Sequence, residues 1–341
     1  MVSPVPNPVH GWRAIRLELT RKLVLATASA LLCILAASAQ TGNPGGAIND
    51  NLGAMDYGVC RGVDPKCFHD WPRNRAPQYR VLLFTRTAGY RHADLGPPLA
   101  EGLNPKLDPR NLVQQEMLKI AAENGWHLDY TEDVKQMTDL DGYHAIVFFS
   151  TSRDNLDDAS KTALRQYMRA GGGFVAVHNA FGTLYNWPWY EGLLGGANFY
   201  NHGQLREGDV EIVDGNDVST KDVPRRWRFK DEWYNLIPFP TRVRFLATVD
   251  QKSWPPGAST ASSFPAGSRY PSVVGRMPGH GAFHPVAWCQ YYDGGKVWAT
   301  TLGHDAGAFA NSDAAFPGSV EFRTMLVGGL KSVMGIEPFC R

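Results

Sequence analysis

A surplus of charge of either sign is missing from this sequence. Its 34 lysines and arginines stand against 33 aspartates and glutamates, so nothing draws the chain electrostatically to nucleic acid or to an anionic membrane. The apolar run from Leu23 to Ala36 is too short for a bilayer span, which needs roughly 20 residues, and small residues end it. Cysteine is scarce, at five in 341 residues, and the spacings do not make a standard zinc pair. No internal repeat is present.

What is there begins with an export layout. Arg13, Arg16, Arg21 and Lys22 precede the apolar run, and Ala37-Ser38-Ala39 follows it, which predicts a signal peptide over residues 1–39 with cleavage after Ala39. Leu32 stands before Cys33 where a lipoprotein would want a small residue. The expected product is a soluble periplasmic or secreted protein of net charge −2, with no membrane attachment after cleavage. Cys60, Cys67, Cys289 and Cys340 remain, an even set in a compartment where disulfides persist, with three pairings open.

Residues 40–78, rich in Gly, Asn, Pro and Arg, read as an extended cysteine-bearing arm. The folded domain is expected over 79–341. Arg80–Thr85 (RVLLFT), Ala145–Phe149 (AIVFF) and Phe174–Val177 (FVAV) are apolar runs without alternation, the pattern of strands buried on both faces of a parallel sheet. Trp126–Thr131 is a further strand. Helices are predicted over 111–124, 157–170 and 319–334. Strands alternating with helices argue for a doubly wound, mostly parallel α/β sheet. Further strands are expected over 204–213, 242–250, 286–292 and 297–301, the last two joined as an inserted hairpin at Asp293-Gly294-Gly295. Residues 252–281 form a long Pro/Gly/Ser loop, and residues 181–200 hold seven aromatics, including Trp189.

Ligands in such a sheet lie beyond the carboxyl ends of the strands. The first strand runs into Arg91 and His92, the third into Ser150–Arg153, and the fourth ends abruptly at His178 and Asn179. The abrupt end resembles a nucleophile elbow with histidine in the nucleophile's place, suited to acid–base work or metal ligation. His304 follows the last strand and His202 follows the aromatic stretch. Asp231-Glu232-Trp233-Tyr234 sets two carboxylates beside two aromatics, a combination that can bind sugar hydroxyls and cover an apolar sugar face; taken alone it reads as a solvated turn.

The order and spacing of Tyr90-Arg91-His92, His178-Asn179-Ala180, Tyr190–His202 (YEGLLGGANFYNH), Asp231-Glu232-Trp233-Tyr234, Pro285–Trp288 (PVAW) and Thr301–His304 (TLGH) resemble the ThuA-like family, named for trehalose utilisation and related in fold to class I glutamine amidotransferases. The resemblance spans roughly residues 79–336. It implies a flavodoxin-like sheet with His92, His178, Glu232 and His304 as the polar site positions. It also implies disaccharide catabolism, particularly of sugars oxidised at the third carbon, whose ketone acidifies the neighbouring C–H. His178 or His92 is then a candidate base, Glu232 an acid, and Arg91 or a divalent metal such as zinc a polarising group. Arg91, Asn179, Trp189, His202, Asp231 and Tyr234 are candidate substrate-binding residues, the partner being a small carbohydrate. Two further readings are a non-catalytic sugar-binding module and an amidotransferase-type hydrolase; the second lacks a cysteine at the elbow. The four-residue set can equally hold a metal or hydrogen-bond among itself and substrate.

Overall fold

The described chain opens with a small hairpin, β1 (Met55–Asp56) and β2 (Val59–Gly62). Four strands follow, β3 (Arg80–Phe84), β4 (His127–Thr131), β5 (Ala145–Phe149) and β6 (Gly173–Val177), with helix α1 (Leu112–Glu123) before β4 and α2 (Asp158–Arg169) before β6. The computed structural model describes residues 55–254, 280, 282–310, 312 and 314–341, all within the unit spanning 54–341. The expected signal, residues 40–54 of the arm and nearly all of the loop 252–281 lie outside the described residues.

Beyond β6 come a short helix α3 (Pro188–Leu193), then β7 (Phe199–His202), β8 (Arg206–Ile212), β9 (Arg226–Asp231), β10 (Tyr234–Leu236), β11 (Arg244–Asp250), β12 (His284–Tyr292), β13 (Gly295–Thr300) and α4 (Ser319–Met334). One sheet runs β4-β3-β5-β6-β13-β12-β11-β8-β9. Its first five strands are parallel, and from β13 onward every neighbour is antiparallel. The α/β class stands as expected, with an antiparallel half larger than one inserted hairpin. The β12–β13 turn has positive φ at Asp293 (45°) and Gly294 (90°), the conformation that the Asp-Gly pair predicts.

The apolar runs fill both faces of the parallel half. Val81, Leu83, Val147, Phe149, Val175 and Val177 pack with Met117 and Ile120 of α1 and Met325, Leu326 and Leu330 of α4. The alternate residues, Leu82, Phe84, Ile146, Phe148, Phe174 and Ala176, pack with Leu164 and Met168 of α2 and Tyr190 and Leu193 of α3. This sandwich explains the missing alternation, since neither face meets water. Asp157 caps α2 by accepting from the Ser160 N–H at 2.8 Å, and Gly335 ends α4 at φ +78°.

Several elements depart from the sequence reading, among them β7, β10 and the short helix α3. Part of the arm joins the sheet, because β2 pairs with β12 at Gly62↔Tyr291. Strand β9 went unread because Arg226, Arg228 and Lys230 give it a charged look. Those three point away from the core while Trp227, Phe229 and Asp231 are buried, and the arginines are zipped to Asp209, Glu207 and Glu211 of β8. A charged edge strand of this kind resists pairing with other sheets.

The open pairing question resolves to Cys60–Cys67 and Cys289–Cys340, separated by 7 and 51 residues. Loop-closure entropy makes the longer link worth about 4 kcal/mol and the shorter about 2.5 kcal/mol. Cys289→Ser with Cys340→Ser is therefore expected to destabilise the protein more than Cys60→Ser with Cys67→Ser, measured by equilibrium urea unfolding. All four cysteines among the described residues are bonded, so none of these four offers a free thiol.

Candidate active site

The chain leaves β6 through a tight turn at His178, whose φ is +51°, a left-handed conformation uncommon for a bulky residue. The elbow expected from the sequence is there, and its side chain is fully buried. Nδ1 of His178 lies 2.8 Å from the Thr301 carbonyl, which can only accept, so Nδ1 carries the proton. Nε2 of the neutral ring is then a bare lone pair.

That lone pair is crowded. The Tyr234 hydroxyl donates to it at 2.8 Å; His92 Nε2 stands at 3.0 Å, His304 Nδ1 at 3.3 Å and Glu232 Oε2 at 3.7 Å. His304 Nδ1 and Glu232 Oε2 are themselves 3.2 Å apart. One lone pair cannot satisfy all of these groups, so the arrangement calls for a shared electrophile, a proton or a cation. The four ligand atoms of His92, His178, Glu232 and His304 lie within 4.8 Å of one another. A four-coordinate zinc with ligands about 2.0–2.1 Å out would separate them by about 3.3–3.4 Å, within the range of the four spacings given above, 3.0 to 3.7 Å. The His178–Thr301 hydrogen bond is of the kind that fixes the orientation of an imidazole whose other nitrogen serves as a ligand.

Asp231, at the end of β9, ties these pieces together. Its two oxygens accept from the backbone N–H of Glu232 and of Gly303, both at 2.7 Å, and Gly303 makes the turn at φ +113°. One buried carboxylate thus fixes the backbones that carry Glu232 and His304. His92 reaches the cluster from the loop after β3, and Arg91 braces that loop. The Arg91 guanidinium donates to the carbonyls of Gly96, Leu95 and Pro97 and pairs with Glu132 at 2.8 Å.

Burial pushes the His92 imidazole down to about 3, helped by the neighbouring His304 and His202, and burial beside His92 and His304 lowers His178 well below its usual value. These two rings are neutral at physiological pH and offer lone pairs. Burial also opposes charge on His304, but its hydrogen bond to Glu232 and the carboxylates Glu232, Asp231 and Asp94 outweigh it and raise its pKa. Burial raises Asp231 to about 7 and holds the Tyr234 hydroxyl well above 10, so the phenol keeps its proton.

The structure therefore gathers His92, His178, Glu232, His304, Asp231 and Tyr234, and sets His202 beside them, its Nδ1 3.5 Å from Glu232 Oε1. Asn179 sits in the turn after His178, packed against Gly182. Trp189 is elsewhere: its Nε1 donates to Asp293 at 2.8 Å, at the opposite end of β13 from His304. Arg91 acts on its own loop. Sequence reasoning overlooked Asp94, buried two residues after His92; a carboxylate so close behind a strand-end histidine was the available signal. It also overlooked the Thr301 carbonyl, which no side-chain pattern encodes.

Residues 80–331 match the ThuA family, described as trehalose utilisation. The chain belongs to the ThuA family. Two solved ThuA-like structures share its fold. A putative ThuA-like protein from Bacteroides uniformis aligns at 21% identity over 77% of this chain and 95% of its own, with a TM-score of 0.54. Another from Parabacteroides merdae aligns at 15% identity over 76% and 91%, with a TM-score of 0.53. No curated protein sequence matches this ThuA-family chain. The matched region contains all four residues of the cluster and both strands, β6 and β13, that end at it.

Proposed function

We propose that this ThuA-family protein is an exported carbohydrate-active enzyme, a lyase or hydrolase that cleaves a disaccharide or 3-keto-glycoside at a divalent-metal site. The observation that carries this reading is the convergence of three imidazole nitrogens and one carboxylate oxygen within 4.8 Å beyond the carboxyl ends of β6 and β13, where α/β folds bind ligands. His92, His178, His304 and Glu232 would hold the ion, a donor set suited to zinc and similar metals. When bound, it would polarise a ketone or a water molecule.

The chain's own residues supply the rest. Tyr234 keeps its proton, and once an ion claims the His178 Nε2 lone pair that the hydroxyl donates to, that proton would be free to hydrogen-bond an oxygen that gains negative charge during the reaction. His202 stands outside the ligand set, 3.5 Å from Glu232, and is the group placed to take up or return a proton. In the elimination reading, a base removes the C–H proton beside the ketone and the glycosidic oxygen leaves as a hydroxyl after protonation. In the hydrolytic reading, a water molecule supplies both the attacking oxygen and the leaving group's proton. Export is supported by the leader sequence and two disulfides, and among the described residues no helix is long and apolar enough to cross a membrane.

Metal analysis of the purified mature protein is expected to find one divalent ion per chain, and the protein is expected to turn over trehalose or its 3-keto form. Sugar binding without product or metal would replace the enzyme with a binding module.

A further inference from the structure

The amino ends of the parallel strands, opposite the histidine cluster, carry a second concentration of polar groups. Lys296 opens β13 and pairs with Gly173 at the start of β6, roughly 13 Å of strand before Thr300 at about 3.3 Å per residue. His144 directly precedes β5. The cysteine-bearing arm crosses this end of the sheet between two anchors: the His69 N–H donates to the Gly294 carbonyl at 2.9 Å, and the Ala76 N–H to the Gly142 carbonyl at 3.3 Å. Between those anchors lie Asp70, Arg73 and Arg75. With Phe68, His144 and Lys296 they line a cavity of about 380 Å³, a size that accommodates a small organic molecule.

The polar groups lining this cavity are mostly hydrogen-bond donors. The Arg73 guanidinium rests on the Tyr167 ring at 4.7 Å, and its Nε and Nη1 are buried with no hydrogen-bond partner among the described residues. Lys296 Nζ sits over the Phe68 ring at 4.7 Å and makes no ion pair or hydrogen bond among the described residues. His144 Nδ1 accepts from the Arg80 N–H at 3.2 Å, so its Nε2 carries the proton and is a further donor. Against three cations stands one carboxylate, Asp70, which meets Arg75 at 3.4 Å. Asp139 and Asp141 share a neighbouring cavity with Arg73, yet among the described residues neither pairs with it. The carbonyl end of α4, at Met334 and Gly335, also reaches the cavity; it supplies about half a negative charge, which leaves the cations in excess. Burial and the Arg75 guanidinium push the Lys296 amine down, with Asp70 offsetting part of the shift. Buried donors are ordinarily satisfied, and no acceptor among the described residues satisfies those of Arg73.

We infer that this cavity binds a phosphate or sulfate group, free or as the ester of a small molecule, between the arm and the amino end of the sheet. Arg73 offers Nε and Nη1, Arg75 and Lys296 supply charge, and His144 adds a neutral donor, a mixture suited to a tetrahedral oxyanion. Because these groups come from both the arm and the sheet, the bound anion fastens one to the other, at a site separate from the metal-ligand set.

The test is calorimetric titration of the purified mature protein with inorganic phosphate, sulfate and glucose 6-phosphate at neutral pH and constant ionic strength, with chloride as the reference salt. At least one of the three is expected to bind with a Kd of about 1 mM or tighter and to raise the thermal midpoint. Arg75→Gln, at a side chain 38% exposed and outside the core, and Lys296→Gln are each expected to weaken that binding about tenfold. Tighter binding of glucose 6-phosphate than of inorganic phosphate assigns the site to an ester and the reverse order to the free ion, and both results support the inference. The titration is repeated after chelator treatment to separate this site from anion capture by a bound metal. Binding lost on chelation but unchanged in both variants overturns the inference, as does binding of none of the three anions or equal binding by Arg75→Gln and wild type.

Discussion

His178→Asn is expected to lower turnover about a thousandfold or more and to abolish stoichiometric metal binding, while costing the fold about 1–3 kcal/mol. Asparagine is the informative replacement because it tolerates the left-handed backbone that His178 adopts at φ +51°, so the turn itself survives. What is lost is the Nε2 lone pair, on which Tyr234, His92 and His304 converge at 2.8, 3.0 and 3.3 Å. Crowding three groups onto one nitrogen contributes little to a metal-free fold, so stability falls far less than activity. Thermal unfolding and metal analysis of one sample make the comparison. A variant that keeps its metal and its turnover would reduce His178 to a cap on β6.

The parallel half of the sheet was legible because continuous apolar runs as short as AIVFF, rich in β-branched and aromatic residues and bounded by polar ones, fit a strand covered on both faces better than a helix. Its strand ends then located His178 and His304 without further information. The antiparallel half was harder: β9 carries three basic residues, and only their alternation with Trp227, Phe229 and Asp231 marks it. That strand decides the standing of Asp231, which reads as a solvated turn residue and is in fact fully buried, holding the Glu232 and Gly303 backbones. Arg91 and Trp189 show the opposite error. Each has the right chemistry for a sugar site, yet partners distant in sequence, Glu132 and Asp293, claim their donors. Residue type predicts what a side chain can do, and tertiary partners decide whether it is available to do it.

The same burial gives the metal-free protein an unusual pH profile, with stability greatest near pH 6.5 and falling as the pH drops below it. Burial depresses His92 and His284 to about 3 and His280 to about 4, and His178 is lowered well below its ordinary value. In the unfolded chain all four take up protons near pH 6.5, so acidification favours the unfolded state from there down to about pH 4. Two carboxyls act in the other direction. Burial raises Asp231 and Asp94 to about 7, so the native state takes up their protons first and is favoured as pH falls through that value. His304, raised mainly against its own burial by Glu232, adds to the same rise above pH 6.5. Below pH 6.5 the histidines that burial depresses, His144 among them, outnumber the carboxyls that burial raises, Asp217 among them, so the unfolded state binds more protons and stability falls. Urea unfolding of chelator-treated protein at pH 7.5, 6.5, 5.5 and 4.5 resolves the curve. A flat or rising profile toward acid would mean that the histidines are protonated in the native state, which would take from the cluster the free lone pairs that metal binding needs.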